Sequence, residues 1–173
     1  MVLVLIGYMA SGKSQIGRKL ALMLNYNFID LDDYIEEKEN MSVSNIFKNK
    51  GEIYFRKLET DHLNSLLSKQ DHVVLALGGG TPCYSNNMDS IINSKNLVSI
   101  YLKATIKTLC DRLLLENAKR PLISHLNTKE ELSEFIGKHL FERSPFYSKA
   151  DYTIETDSKS IDKVIEEIVF KLF

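Results

Sequence analysis

Short runs of apolar residues alternate along the chain with longer stretches in which apolar positions recur every three or four residues. The first run, Val2–Ile6, is apolar throughout, which is typical of a strand covered on both faces of a sheet. Four more strands are predicted at "NFID", "HVVLAL", "LVSIYL" and "DYTIE". Because helical segments separate these strands, we expect them to be parallel and joined by crossover helices in a three-layer α/β domain.

The predicted helices have apolar stripes and recognisable ends. Ile16, Leu20 and Leu24 mark the stripe of a helix from Lys13 to Leu24, and Ser42 can cap a helix that ends at Gly51. The others are a turn at "DYIEE", Glu52–Lys69, Asn86–Lys95, Thr105–Glu116, "KEELSEFIGKHLFER" with Thr128 as its cap, and Ser160–Leu172. The segment "NAKRPLISHLN" shows neither the apolar spacing of a helix nor the apolar run or alternation of a strand, which predicts a mobile loop.

Composition and charge indicate the number of domains and argue against several classes of partner and location. The alternation runs without a linker or repeat, which indicates one domain over residues 1–173. A formal net charge of −1 argues against broad binding to nucleic acid or an anionic membrane. Val2–Ile6 is too short for a signal segment or a membrane span. Cys83 and Cys110 form no CxxC motif, which favours a reduced cytoplasmic location, and the four histidines share no metal-ligand spacing.

The segment "GYMASGKS", Gly7 to Ser14, matches every defined position of the phosphate-loop pattern G-x-x-x-x-G-K-[ST]. It follows a predicted strand and opens a predicted helix, which is the context that this motif requires. Such a loop directs backbone N–H groups and a helix N-terminus at phosphate oxygens, with a lysine for the phosphates and a hydroxyl for Mg²⁺. The candidate ATP-binding residues in it are Ala10, Ser11, Gly12, Lys13, Ser14 and Gln15. The alternative is a glycine-rich turn that binds nothing.

Two carboxylates, Asp30 and Asp32, lie at the end of the second predicted strand in "FIDLDDYIEE". If the strand continues through them, both project on one side of its carboxyl end, where open parallel sheets bind ligands. One could then serve a metal ion and the other a substrate hydroxyl. The alternative is a solvated acidic helix start, with Asp32 or Asp33 as the N-cap.

Further candidates are Arg56, the glycine run Gly78–Gly80, Arg112, Arg120 and Arg143. Any one arginine is by default a surface or ion-paired residue, and "GGG" alone is by default a flexible turn. Taken in order, however, "GYMASGKS", "FIDLD", "FRKLE", "LALGGG", "RPL" and "ERSPFY" resemble the shikimate kinase family closely. The resemblance covers essentially the whole chain, and the ordered set is what makes it specific.

The resemblance implies a P-loop NTPase fold of the nucleoside-monophosphate-kinase type, with a five-stranded parallel sheet. The implied reaction is the MgATP-dependent phosphorylation of the 3-hydroxyl of shikimate, a step of aromatic amino-acid biosynthesis. It also implies a monomer that binds small molecules and one Mg²⁺ ion.

Residue by residue, the resemblance implies that Ser14 and Asp30 serve the magnesium ion, with Asp30 acting through water. Arg112 resembles the arginine that stacks on adenine. Arg120 resembles the arginine of a mobile lid, expected over about residues 114–127, that moves onto the phosphates.

On the acceptor side, Asp32 resembles the residue that holds the substrate hydroxyls and can act as a base. Arg56 and Arg143 resemble the pair that holds the carboxylate of shikimate, and Gly79, within Gly78–Gly80, resembles a backbone donor. A planar guanidinium suits this role because it meets a carboxylate with two parallel hydrogen bonds. Lys13, Asp32 and Arg120 are the implied catalytic residues.

The chain departs from family loops, which often read "MGSGKST" or "MGAGKST", because Ala10 replaces a glycine and Gln15 a hydroxyl. No acidic residue ends "HVVLALGGG", which makes Asp30 more important for the metal. Two alternatives stay open. One is a kinase of the same architecture that acts on gluconate or a nucleoside monophosphate, and the other is a sensor that binds a nucleotide without transferring phosphate.

Overall fold

A computed structural model of the chain describes residues 1–69, 71–116, 126 and 128–173. Its strands are β1 (Val2–Ile6), β2 (Asn27–Asp30), β3 (Val73–Ala76), β4 (Leu97–Lys103) and β5 (Tyr152–Glu155). They form one sheet in the order β2-β3-β1-β4-β5, and every neighbouring pair is parallel. The predicted five-stranded parallel sheet is therefore confirmed.

Helices flank this sheet, and two of them begin at capping residues expected from the sequence. They are α1 (Lys13–Leu24), α2 (Leu31–Glu39), α3 (Val43–Lys50), α4 (Glu52–Lys69), α5 (Asn87–Ile92), α6 (Ile106–Glu116), α7 (Lys129–Tyr147) and α8 (Ile161–Leu172), with a 3₁₀ turn at Thr81–Cys83. The Ser42 hydroxyl caps α3, and Thr128 forms a capping box with Glu131 at the start of α7. Within the described ranges, none of the helices combines the length and apolarity needed to cross a bilayer.

The sheet has an apolar layer on each face. Along β1, Val4 and Ile6 belong to one cluster of buried residues, while Leu3 and Leu5 belong to the other. Consecutive side chains of a strand point to opposite faces, so an uninterrupted apolar run is what a strand between two helical layers requires. Each of these side chains is fully buried and contributes about 1.5–3 kcal/mol by the transfer scale.

Strand register brings three chain segments to one edge of the sheet. Asp30 of β2 is paired with Ala76 of β3, and Ala76 is paired with Leu5 of β1. Because the strands are parallel, the segments that follow β1, β2 and β3 leave the sheet side by side. This edge therefore collects the phosphate-loop motif, the two aspartates and the glycine run.

Helix α7 continues one turn beyond its predicted end at Arg143 and includes Pro145. A proline inside a helix removes one backbone N–H and crowds the preceding turn, which costs the helix free energy. Packing offsets this cost, because Tyr147 in the last turn is buried with its ring centroid 5.2 Å from that of Tyr101. The Tyr147 hydroxyl also donates a hydrogen bond to the carbonyl of Gly79 (2.5 Å). The predicted end of this helix was wrong.

The predicted lid, about residues 114–127, falls mostly outside the described residues. Its first residues are described as the last turn of α6, and Leu126 is described as partly buried against the core. Arg120 lies outside the described residues, and its implied role stays a prediction.

Candidate active site

The phosphate-loop motif forms a tight turn between β1 and α1. Gly7 has a φ of 152°, and a Cβ placed on it would lie 2.7 Å from the carbonyl oxygen of Leu102. Gly12, with a φ of 100°, is the N-cap of α1 and provides no side-chain cap for its first N–H groups. The Lys13 ammonium donates hydrogen bonds across the turn to the carbonyls of Gly7 (2.9 Å) and Tyr8 (2.8 Å). Open helix N–H groups beside a lysine form an anion cradle.

Ala10 occupies the position at which the resemblance stated above leads us to expect glycine. Its φ of 61° lies in the left-handed region, which costs a residue with a Cβ about 1–2 kcal/mol. The carbonyl of Ala10 accepts a hydrogen bond from Arg112 (3.0 Å), which also donates to the carbonyl of Thr156 (3.3 Å). Arg112 therefore connects the phosphate loop to the segment that follows β5.

A cleft of about 510 Å³ opens beside this loop. Its walls include loop residues 10–15 and the side chains of Asp30, Asp32 and Arg112, with the first two glycines of the run. Arg56, Gly80 and Arg143 do not line the cleft itself, but they border it through the glycine run described below. The structure thus gathers every described candidate residue around one opening.

Asp30 connects the loop to β2. Its Oδ2 accepts a hydrogen bond from the Ser14 hydroxyl (2.7 Å), and its Oδ1 accepts one from the backbone N–H of Asp32 (3.2 Å). Asp30 is the N-cap of α2, so the strand ends at Asp30 and Asp32 stands in the first helical turn. The predicted strand "NFID" is confirmed, and the condition that it continues through both aspartates is not met. The alternative with Asp32 or Asp33 as the cap was wrong.

Asp32 is the most perturbed carboxylate of the site. Burial, followed by the negative charges of Asp30 and Glu59, raises the pKa of Asp32 to about 7, against the opposing charges of Lys13 and Arg56. A pKa near the working pH allows a carboxylate to exchange a proton during a reaction. This group is therefore suited to receive the proton of a hydroxyl.

Each glycine of the run Gly78–Gly80 lies next to one of the three side chains that the resemblance assigns to binding of the acceptor. A Cβ on Gly78 would lie 3.0 Å from Oδ1 of Asp32, and one on Gly80 would lie 2.7 Å from Nη1 of Arg56. A Cβ on Gly79 would lie 3.6 Å from Nη1 of Arg143, which is ordinary contact. At positions 78 and 80 a Cβ would crowd these side chains, although neither glycine has a backbone conformation that requires glycine.

Arg56 is held by residues that the sequence reasoning did not name. Its Nη1 donates to Oε2 of Glu59 (2.6 Å), a carboxylate only 1% exposed whose Oε1 accepts from the Thr81 hydroxyl (2.5 Å). The guanidinium lies 4.1 Å from the ring centroid of Tyr84, and its Nε and Nη2 are 3.3 Å from Oε1 of exposed Glu52. Burial alone would lower the pKa of Arg56, but the charge and hydrogen bond of Glu59 raise it. The i,i+3 spacing in "FRKLE" was the available signal for Glu59.

Arg143 enters the site from α7, with its guanidinium 5.6 Å from the ring centroid of Tyr8. The sequence reasoning also missed the partners on either side of it, His139 and Tyr147. His139 was considered from the sequence only as one of four histidines without metal-ligand spacing. In the structure its Nδ1 is hydrogen-bonded to the Tyr8 hydroxyl (2.9 Å).

A magnesium site here would use few protein atoms. The described residues contain no group of three or more His, Cys, Asp or Glu side chains that could enclose a metal ion. Mg²⁺ commonly binds through one or two protein oxygens together with phosphates and water. The adjacent Ser14 hydroxyl and Asp30 carboxylate at the phosphate loop fit that chemistry.

Comparison with known proteins shows the family of this chain. The family model for shikimate kinase matches residues 9–173. The chain belongs to the shikimate kinase family. Family membership confirms the resemblance inferred from the ordered motifs, and with it the prediction that the chain is a kinase.

Individual family members match over nearly their whole length. A shikimate kinase of Flavobacterium johnsoniae is 44% identical over 167 residues, which are 96% of each sequence. A crystal structure of shikimate kinase from Bacteroides thetaiotaomicron has 32% identity and a TM-score of 0.91, and the match covers 99% of this chain and 98% of that one. Shikimate kinase from Acinetobacter baumannii, in complex with shikimate, has 31% identity and a TM-score of 0.87 over 99% and 92% of the two chains.

Proposed function

We propose that this chain transfers the γ-phosphoryl group of ATP to the 3-hydroxyl of shikimate, giving shikimate 3-phosphate and ADP. The observation that carries the proposal is the glycine run, which joins Asp32, Arg56 and Arg143 beside the phosphate loop. The reaction forms a bond between the hydroxyl oxygen and phosphorus and breaks the bond to the β-phosphate oxygen. Asp32 receives the proton of the hydroxyl.

On the donor side, the loop N–H groups and Lys13 hold the triphosphate, while Arg112 borders the base. Ser14 and Asp30 would hold Mg²⁺, which supplies positive charge to the β- and γ-phosphates. The Lys13 ammonium, which donates to the carbonyls of Gly7 and Tyr8, places its positive charge beside the phosphates. We assign Arg120 to the phosphates as well, from its place in the family motif.

On the acceptor side, Arg56 and Arg143 bind the carboxylate of shikimate, and Asp32 orients the hydroxyl. Glu59 holds Arg56 firmly at 2.6 Å, whereas exposed Glu52 holds its other edge loosely at 3.3 Å. The substrate carboxylate therefore displaces Glu52 rather than Glu59. Gly79 offers its backbone beside Arg143 without a side chain in the way.

Positioning dominates this mechanism. Holding two reactants in line can supply about 7–11 kcal/mol of the barrier, whereas a general base supplies about 10²–10⁴-fold, or roughly 3–5 kcal/mol. Phosphoryl transfer has a loose transition state, so the protein has little covalent chemistry to perform. The main contribution of Asp32 is therefore to orient the hydroxyl. A lid over residues 114–127 would keep water from accepting the phosphoryl group.

An ADP-release assay tests the function directly. With ATP and Mg²⁺, we expect shikimate to stimulate ADP release about a hundredfold or more over gluconate, a nucleoside monophosphate or no acceptor, because a polar pocket rejects an acceptor that leaves its groups unpaired. Equal stimulation by gluconate or a nucleoside monophosphate would show a different acceptor. Nucleotide binding with no stimulation by any acceptor would indicate a sensor.

Changing Arg143 to alanine tests the acceptor pocket. We expect the KM for shikimate to rise about 10–100-fold, since roughly 1.5–3 kcal/mol is lost with each hydrogen bond to a charged group. The KM for ATP should stay near its wild-type value. Arg18→Ala is the matched control, because it removes the same charge from an exposed pair with Asp33 outside the site. Equal increases in both KM values would assign Arg143 to the nucleotide site instead.

A further inference from the structure

Three side chains follow one another on a face of α7 at intervals of four residues: His139, Arg143 and Tyr147. The Tyr147 hydroxyl donates to the carbonyl of Gly79 (2.5 Å), and Nδ1 of His139 is hydrogen-bonded to the Tyr8 hydroxyl (2.9 Å). Arg143 therefore stands between one contact to the glycine run and one contact to the phosphate loop.

Tyr8 belongs to the phosphate loop, but its side chain is not part of the nucleotide cradle. It is 1% exposed and is absent from the walls of the cleft. Its ring lies 5.6 Å from the guanidinium carbon of Arg143, within the range of a cation–π contact. Both the ring and the hydroxyl of Tyr8 are therefore directed at α7.

The protonation states suit a hydrogen bond from tyrosine to histidine. Burial raises the pKa of Tyr8 to about 12, so this hydroxyl keeps its proton. Burial, and after it the charge of Arg143, lowers the pKa of His139, so Nδ1 of the neutral imidazole can accept. The ring of Phe135, 4.3 Å away between centroids, packs against the imidazole.

We propose that Tyr8 and His139 are positioning residues for Arg143, and that their hydrogen bond fixes α7 where the guanidinium meets the acceptor. This inference rests on the proposed function, in which Arg143 binds the carboxylate of shikimate. Neither residue touches the reacting atoms in this assignment, so both act through Arg143. A side chain of the phosphate loop thereby controls the affinity for the acceptor rather than for ATP.

The variant Tyr8→Phe keeps the ring and removes only the hydroxyl. We expect it to raise the KM for shikimate about three- to tenfold, as the loss of one net hydrogen bond does, with the KM for ATP within about twofold of wild type. A general loss of stability would instead lower the fraction of active enzyme and leave both KM values unchanged. Steady-state kinetics with each substrate varied in turn distinguishes these results.

Two variants of His139 test the other partner of this hydrogen bond, and a variant of a distant tyrosine provides the control. His139→Leu removes the acceptor and should raise the KM for shikimate as Tyr8→Phe does, whereas His139→Asn offers an oxygen near Nδ1 and should restore most of the affinity. Tyr54→Phe is the matched control, because it removes a tyrosine hydroxyl bonded to Glu39 and Lys50, away from Arg143. It should leave both KM values unchanged.

The double variant Tyr8→Phe/Arg143→Ala tests whether Tyr8 acts through Arg143. If it does, Tyr8→Phe adds no further increase in the KM for shikimate once Arg143 is alanine. An undiminished increase in that background, or an equal increase in the KM for ATP, would overturn the inference. If Arg143→Ala raises this KM and Tyr8→Phe does not, only the positioning role fails. If Arg143→Ala has no effect, the acceptor assignment and this inference fail together.

Discussion

Replacing Lys13 with alanine is expected to lower kcat about a thousandfold or more, because the ammonium neutralises charge that develops on the transferred phosphoryl group. The fold should remain intact. In the structure Lys13 donates hydrogen bonds to two loop carbonyls at the half-exposed start of α1, and alanine is a good helix former there. Single-turnover phosphoryl transfer, measured alongside the thermal unfolding midpoint, checks both parts of this result.

Lys19→Ala provides the control for Lys13. Lys19 lies on the same helix but is exposed and paired with Asp162, so its loss should leave kcat unchanged. Turnover near the wild-type rate in Lys13→Ala would contradict the phosphate cradle. A fall in turnover accompanied by a large fall in the unfolding midpoint would point to a structural role for Lys13 instead.

The second large effect is expected for Asp32→Asn, which keeps the shape of the side chain and removes its capacity to take a proton. We expect kcat to fall about 10²–10⁴-fold. In the wild-type enzyme, kcat/KM for shikimate should rise with pH through about 7, as Asp32 loses its proton. The residual activity of the variant should lack this step. Asp33→Asn, an exposed change of the same charge next to it, should leave both kcat and the pH profile unchanged.

The same substitution should stabilise the protein at high pH. The pKa of Asp32 in the folded chain, about 7, lies above its ordinary value of 3.8, so the folded state binds the proton more tightly than the unfolded state. Stability from this group is thus present below pH 4 and is lost as the pH rises through 7. At pH 8 the buried charge costs on the order of 2–4 kcal/mol, and Asp32→Asn should raise the unfolding midpoint by several degrees.

The gain in stability expected for Asp32→Asn depends on pH, whereas a gain from better packing would not. The difference in unfolding midpoint between Asp32→Asn and wild type should shrink below pH 7 and vanish below pH 4, where the carboxyl is protonated in both states. A constant difference across this range would show that Asp32 is not the titrating group. A difference that vanishes in this way would mean that Asp32 lowers the stability of the fold while it serves the reaction. This trade-off between stability and activity is expected of active-site residues.

The succession of strands and helices along the chain was predictable because the sequence signals for each element are local. The unbroken apolar run of Val2–Ile6 required cover on both faces of the strand, and the structure has an apolar layer on each. Ser42 and Thr128 stand where a hydroxyl satisfies the first N–H groups of a helix, and they cap α3 and α7 as expected. Such interactions involve residues within a few positions of one another.

Local signals failed where contacts between distant parts of the chain outweighed them. The predicted end of α7 was Arg143, but burial of Tyr147 against Tyr101 carries the helix past Pro145. One interpretation of the two aspartates required a continuing strand, but Asp30 accepts the N–H of Asp32 and starts α2. In both places one tertiary or capping contact decided between two conformations that the local sequence allowed.

The sequence by itself determined the phosphate loop, the alternation of elements and the membership in the family, because each depends on residue types at fixed spacings. Only the tertiary structure decided which side chains act together. A Cβ on Gly80 would crowd Arg56, which comes from another element, and His139 meets Tyr8 across 131 positions of the chain. The edge of a parallel sheet brings together loops that are far apart in sequence, and no periodicity within one segment records which side chains meet there.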